Sequence, residues 1–412
     1  MPTFASLQSL FAIASALHWE VETFDITTAY LHSNVAQSIY IKPPPGHHVG
    51  NGRVLALRKA LYGLKQSGRC WWKHLQKVLT TIGLQANQED QSTYIYEKGM
   101  EKALLWIHVD DGVLAASSAT LMTYLKNELQ AQLSLKWDVG IHSIVGITVQ
   151  RIDNTFYLSQ PTLVDKVCST HPCSITAKQP LPEMDLESGR ATVLDREYLS
   201  RIEMLLYLAQ ATRPDIMFSV NYLARFSMNT LTKHWAALNH LINYLWAMKG
   251  KTLKIDLHGK EEGLKVYVDA NWGGEASRSQ HGFIVFLWGS PVAWNSRQQT
   301  CVASSTCQAE YMALSFAARM GMWLSQMVKI ALPDIVPTLI SDNKAAIRIA
   351  ENSGSQKNSR HIQREFHLIN ELLVKNHVAI TWIDSENQQA DIFTKKLGRL
   401  KVKKFNTNIF KG

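Results

Sequence analysis

The chain has 412 residues, too many for one ordinary domain and enough for several buried cores. Hydrophobic residues at 46% and charged residues at 19% exclude a disordered chain, and no apolar run reaches the length of a membrane span. Five cysteines exclude a disulfide-built scaffold and fit a reducing intracellular compartment, cytoplasmic or nuclear, while a net charge of +9 points to an anionic partner.

Leu7, Leu10, Phe11, Ala14 and Leu17 recur at helical spacing and predict an amphipathic helix beginning almost at Met1. No basic segment precedes this cluster and polar residues interrupt it, which argues against a signal peptide. Pro43-Pro44-Pro45-Gly46 predicts a loop, and Trp71, Leu75, Val78 and Leu79 predict a second helix. Two β-prone runs between Ala103 and Ala116 flank Asp110-Asp111-Gly112 and read as a hairpin with an Asp-Gly turn. Leu121, Leu125 and Leu129 mark one face of a third helix. The stretch Cys173–Arg196, with its prolines and acids, reads as a linker, and Tyr198–Lys249 is helical in pattern. Within it, Arg213-Pro214-Asp215-Ile216 reads as a structural joint. Lys260-Glu261-Glu262-Gly263 is a charged break, near which the chain is expected to divide into an α+β part and an α/β part. Beyond it, strands are predicted near Leu264–Val268, Phe283–Trp288, Pro291–Asn295, Thr338–Ser341 and Val378–Ile383, with helices at Ser304–Met327 and around Ser359–Lys375.

Adjacent aspartates on a regular strand point to opposite faces, so Asp110 and Asp111 can share a cation only where a turn breaks the pleat. Magnesium takes oxygen ligands, commonly one or two carboxylates with substrate phosphates. Asp25, after the apolar-rich Trp19–Phe24 segment, is the candidate third carboxylate, on or beside a strand. By itself, Asp-Asp-Gly fits a plain polar hairpin turn better.

The strings around these acids carry more. Phe24-Asp25-Ile26-Thr27-Thr28-Ala29-Tyr30-Leu31, Ile39-Tyr40-Ile41-Lys42-Pro43-Pro44-Pro45-Gly46, Leu61-Tyr62-Gly63-Leu64-Lys65-Gln66 and Val109-Asp110-Asp111 resemble, in order and spacing, the palm of copia-type retrotransposon reverse transcriptases. The resemblance implies that Asp25, Asp110 and Asp111 are the polymerase carboxylates, with Asp25 and Asp110 holding two magnesium ions most directly. It places the turn at Val109-Asp110, one position before the Asp-Gly signal. It also implies that Lys65, Gln66 and Arg69 lie near the templating pair and incoming nucleotide; an ordinary solvated helix start is the other reading. His108 and Gly68 replace the family's usual tyrosine and proline. The similarity starts at the helix before Asp25, so the upstream fingers segment is expected to be missing and DNA synthesis impaired.

Asp269 ends a predicted strand, Glu310 lies within a helix, Asp342 sits where a helix starts and Asp391 opens another, and each position has an ordinary structural role. Together with Asp269-Ala270-Asn271-Trp272, Ser304-Ser305-Thr306, Ala309-Glu310-Tyr311, Ser341-Asp342-Asn343, Ala390-Asp391-Ile392 and Thr394-Lys395, they resemble a copia-type ribonuclease H from about Leu264 to Leu397. That resemblance implies a mixed sheet flanked by helices, four carboxylates holding two Mg2+ ions (Mn2+ as the alternative), and cleavage of RNA in an RNA–DNA hybrid. His361, in Ser359-Arg360-His361-Ile362, would handle phosphate or product release, or is a solvated helix-end histidine. The tail after Asp391 is basic, with Lys395, Lys396, Arg399, Lys401, Lys403, Lys404 and Lys411, and phosphate contact is expected there.

The expected organisation is an α+β palm over 1–160, a thumb and connection over 161–262, an α/β ribonuclease H-like domain over 263–400 and a basic tail over 401–412. Expected partners are an RNA template, a DNA primer, the RNA–DNA hybrid and other parts of the polyprotein. The alternative is a catalytically silent retrotransposon remnant that at most binds nucleic acid.

Overall fold

The computed structural model describes residues 3–411 except 36, 48–49, 51, 139, 174–176, 188, 190–194, 258–262, 275–276 and 352–362. The charged break Lys260-Glu261-Glu262, part of the expected linker and His361 therefore lie outside the described residues. The chain divides into two compact units, one of residues 17–145 and the other of residues 146–412 together with helix α1 (Phe4–Ala16).

The first unit is an antiparallel sheet with two helices. Its strands are β1 (Glu20–Ile26), β2 (Gln85–Ala86), β3 (Thr93–Lys98), β4 (Glu101–His108), β5 (Asp111–Ala116) and β6 (Leu135–Trp137), in the order β2-β3-β4-β5-β1-β6. Helix α2 (Ser67–Ile82) presents Trp71, Leu75 and Leu79 at helical spacing, and α3 (Ala119–Gln132) presents Leu121, Leu125 and Leu129. These side chains pack with Leu105, Ile107, Leu114 and Tyr94 of the sheet into one core. Gly83 ends α2 at φ 96, a left-handed cap that glycine reaches without strain.

His108 and Asp111 are the last pair of the β4–β5 ladder, so the turn is Val109-Asp110 and not Asp110-Asp111-Gly112. Val109 adopts φ 59, which is costly for a β-branched residue. The Trp71 indole donates to its carbonyl at 2.8 Å and holds the turn. Gly112 has a different purpose: it faces Phe24 across the sheet, and a Cβ there would sit 2.3 Å from the Phe24 ring.

In the second unit, β7 (Ile147–Ile152), β8 (Thr155–Ser159) and β9 (Thr252–Ile255) form an antiparallel sheet, with Phe410-Lys411 paired beside β9. Helix α4 (Pro161–Cys168) comes first, and α5 (Arg196–Ala211), α6 (Met217–Ala224) and α7 (Thr232–Ala247) fill the region read as helical. The Arg213 joint is a buried ion pair: Arg213 donates to both Asp215 oxygens at 2.9 and 2.7 Å, and the Tyr244 hydroxyl donates to Asp215 Oδ2 at 2.8 Å.

A second sheet has strands β10 (Leu264–Asn271), β11 (Gln280–Leu287), β12 (Ser290–Gln298), β13 (Pro337–Ser341) and β14 (Ala379–Trp382), in the order β12-β11-β10-β13-β14. The first three are antiparallel, and β13 and β14 run parallel to β10. Every residue of β11 is buried, which explains why it reads as a continuous apolar run. Helix α8 (Thr306–Met327) packs across β10 and β13; α9 (Lys344–Glu351), α10 (Gln363–Val374) and a 3₁₀ turn, Gln389–Phe393, follow. The expected basic tail is largely a docked helix, α11 (Arg399–Ile409), with Val402, Phe405 and Ile409 buried.

Helix α1 is not amphipathic as its spacing suggested. It has no charged residue, residues 6–15 are buried, and it packs on β12 while Gln8 donates to the Ala211 carbonyl at 2.8 Å. The fold class matches the expectation, an α+β unit together with a ribonuclease H-like mixed sheet. Among the described residues, no helix is long and apolar enough to cross a membrane.

Candidate active site

Asp269 lies near the end of β10, directly opposite Gly282 of β11. Glu310 sits one turn into α8, whose first turn is capped by Ser305 accepting from Gln308 N at 3.2 Å. Because α8 crosses β10 and β13, Glu310 points into the protein and is only 4% exposed. Asp342 directly follows β13, and Ser385 donates to its Oδ2 at 2.6 Å. Carboxylate oxygens of Asp269, Glu310 and Asp342 all come within 4.8 Å of one another.

Burial, then Asp269 and Asp342, push the Glu310 carboxyl well above its ordinary range. Burial also raises Asp269, against the opposing pull of Lys395 and Thr394. Glu310 Oε2 is buried with no hydrogen-bond partner, an arrangement that needs an explanation in a folded protein. Three converging carboxylates are a hard oxygen donor set, so a divalent cation such as magnesium fits, and it would satisfy that oxygen. Asp391 stands apart from the trio. It lies on the 3₁₀ turn and is ion-paired with Lys395 and Lys401.

In the first unit, Asp25 and Asp111 are direct cross-strand partners on β1 and β5, with Asp110 in the adjoining turn. Ile26 N donates to the Asp110 carbonyl at 2.8 Å, tying the turn to β1. Burial and then the Asp110 charge raise both Asp25 and Asp111. Even so, Asp25, Asp110 and Asp111 do not form a close group like the trio above. Lys65 and Arg69 are exposed and Gln66 is half-buried at the start of α2.

Sequence reasoning missed Tyr62. Its hydroxyl donates to Asp110 Oδ2 at 3.2 Å, and burial followed by the Asp110 charge pushes the phenol up to about 12. It also missed Thr394, which donates to Asp269 Oδ2, and the placement of Lys395 against the acids. All three lie inside strings that marked the resemblance, Leu61-Tyr62-Gly63 and Thr394-Lys395, so the signal was present without a role attached.

One unit thus carries an antiparallel sheet with acids at a β-hairpin, and the other a ribonuclease H-like mixed sheet with acids converging from neighbouring elements. Residues 2–181 match the family described as reverse transcriptase (RNA-dependent DNA polymerase). The chain is 28% identical to the retrovirus-related Pol polyprotein from transposon RE1 of Arabidopsis thaliana, across 98% of this chain and 28% of that protein. Identity is also 28% to the Pol polyprotein from transposon TNT 1-94 of Nicotiana tabacum, across 96% of this chain and 31% of that protein. The structure of the foamy viral protease-reverse transcriptase dRH in complex with double-stranded DNA matches with a TM-score of 0.51 and 10% identity, across 89% of this chain and 57% of that one, a likeness of fold alone. Over nearly its whole length the chain is thus similar to retrotransposon Pol polyproteins, and its residues 2–181 match the reverse transcriptase family. It spans less than a third of the length of these two plant relatives.

Proposed function

We propose that the chain cleaves the RNA strand of RNA–DNA hybrids at Asp269, Glu310 and Asp342, and takes part in RNA-directed DNA synthesis through Asp25, Asp110 and Asp111. The observation that carries the first activity is the unpartnered, buried Glu310 oxygen beside two further carboxylates. Bound Mg2+, or Mn2+, would supply an activated water and charge stabilisation at the departing oxygen. The trio holds the cation, and Thr394 and Gln388 fix its frame: Thr394 donates to Asp269, and Gln388 donates to the Val268 carbonyl at 3.1 Å. The 2′-hydroxyl of the RNA strand is the feature that selects RNA over DNA.

For DNA synthesis, Lys65, Gln66 and Arg69 are assigned to the template and incoming nucleotide, and other parts of the polyprotein are partners. A second reading, nucleic-acid binding without DNA synthesis, is favoured at this site by the failure of its three acids to close into a group. The deciding measurement uses the full chain with a labelled hybrid and magnesium. Glu310→Gln should lower cleavage by more than about 100-fold, since loss of even a supporting contact at a metal site costs 10–100-fold. An intact hybrid with the parent chain, or equal cleavage by the variant, ends the reading.

A further inference from the structure

The first residue of the fully buried strand β11 is a glutamine. Burying an amide costs free energy unless both its oxygen and its nitrogen find partners, so packing alone would favour an apolar residue here. Gln280 finds both partners. Its Oε1 accepts from the Arg225 guanidinium at 2.5 Å, and its Nε2 donates to the Ser296 hydroxyl at 2.8 Å. Arg225 directly follows α6, and its guanidinium lies 5.0 Å from the centre of the Tyr222 ring.

Ser296 has a single hydroxyl hydrogen. Having accepted from Gln280, it gives that hydrogen to the Phe393 carbonyl at 2.6 Å. The same peptide group carries the Thr394 N–H, and the Thr394 hydroxyl donates to Asp269 Oδ2. Asp269 and Ser296 both pair with Gly282, one on either side, so the run crosses three neighbouring strands. The donors point one way, from a guanidinium through an amide and a hydroxyl to the peptide that presents Thr394 to the acid. Donors in series polarise one another, and the charge at the head strengthens the run. Gln280, Ser296, Thr394 and Asp269 are each no more than 5% exposed, so water does not replace a lost link.

We propose that Gln280 is a positioning residue for the acid cluster: through Ser296 and the peptide joining Phe393 to Thr394, it keeps Asp269 turned toward Glu310 and Asp342, and Arg225 holds Gln280 in that role. This rests on reading the acids as a cation site. A carboxylate held at one oxygen keeps its plane, whereas a free one loses rotational freedom when a cation orders it. Helix α6 lies before residue 264, where the resemblance to a ribonuclease H begins, so the site draws part of its frame from the preceding helical region.

The probe is manganese(II), titrated into the full chain without nucleic acid and followed by electron paramagnetic resonance. Binding lost in Glu310→Gln marks the cluster, whatever binds elsewhere. Gln280→Met removes both hydrogen bonds from a side chain of similar length, and should weaken that binding about tenfold, the lower end of what losing a ligand's supporting contact costs. Ser296→Ala should act in the same direction. Arg225→Met should weaken binding about threefold, the smaller effect of a partly solvated charge, and Arg225→Lys, which still donates, should match the parent. Trp294→Phe is the control. It removes a different bond between sheet and helices, the indole donating to the Ala209 carbonyl at 2.7 Å, and should lower the urea midpoint without moving manganese affinity. If Gln280→Met behaves like this control, with a lower midpoint and parental affinity, the inference is overturned while the acids remain a cation site. If Glu310→Gln binds as the parent does, the inference falls together with the reading of the cluster. Should Gln280→Met not fold, parental affinity in Arg225→Met overturns the inference by itself.

Discussion

Gly282 and Phe393 pack so closely that a methyl group on Gly282 would lie 2.3 Å from the Phe393 Cβ. Gly282 is also the ladder partner of Asp269, and Phe393 closes the 3₁₀ turn that carries Asp391. Ser296 donates to the Phe393 carbonyl at 2.6 Å and holds the turn down from the neighbouring strand. The Gly282→Ala variant must therefore lift the turn and misplace Thr394 and Lys395. We expect a loss of about 1–3 kcal/mol in urea unfolding, the usual cost of overpacking, with reduced hybrid cleavage although residue 282 is none of the acids. Unaltered unfolding would mean that the turn is not clamped there.

His281 gives the fold a pH-dependent component. Burial, then the Arg297 charge, pushes its ring down to about 4, and neither ring nitrogen has a hydrogen-bond partner. Its stacking on Phe316, with centroids 4.6 Å apart, is thus the packing of a neutral ring. The unfolded chain binds a proton at this histidine near its ordinary 6.5, so between there and about 4 the unfolded state carries more protons. This contribution is fully present above the ordinary value and is lost as pH falls through that window. His281→Phe keeps the stack and should flatten this part of the dependence of unfolding midpoints on pH. An equally steep profile in the variant would assign the slope to other groups.

Arg213 and Asp215 neutralise each other in a site where Asp215 is fully buried and Arg213 nearly so. Replacing Arg213 alone by Met strands a carboxylate that also accepts from Tyr244, and should cost about 3–5 kcal/mol. Adding Asp215→Leu should recover much of that loss. A double-mutant cycle with no coupling energy would contradict the pairing.

Beside Asp25, Asp110 and Asp111, Tyr62→Phe removes the hydroxyl that donates to Asp110 while keeping the ring against Tyr30, 4.3 Å between centroids. Tyr62 is 55% exposed, so stability should change by less than about 0.5 kcal/mol. Primer extension on an RNA template, if the chain supports it, should fall in the variant; equal extension would leave Tyr62 with a packing role only.

The acids were legible in the sequence because their order and neighbouring strings are distinctive, and α2, α3 and α8 were legible from spacing. Other features depended on partners far along the chain. Asp110-Asp111-Gly112 looked like a turn, yet Gly112 is small because Phe24 lies opposite it. Asp391 reads in the sequence as one more acid of the set; only the fold shows two lysines beside it. Strands β7, β8 and β9 are short, with β9 far from the other two in the chain, and they find their order through pairing, with Phe410-Lys411 at the edge.

Helix α1 poses a problem of timing. Its sequence is uncharged and nearly every side is covered in the finished protein, but the cover includes Ala211 and the strand Ser290–Gln298. At about 5–20 residues per second, a ribosome takes roughly a quarter of a minute to a minute to reach that strand after making the helix. Residues 17–145 can close their own core in the meantime, while α1 stays greasy and unsheltered. In that interval an uncharged, uncovered helix is open to contact with other unfinished chains. A charge at Ala12 would ease that wait and spoil the core it is waiting for, because Ala12 ends only 2% exposed.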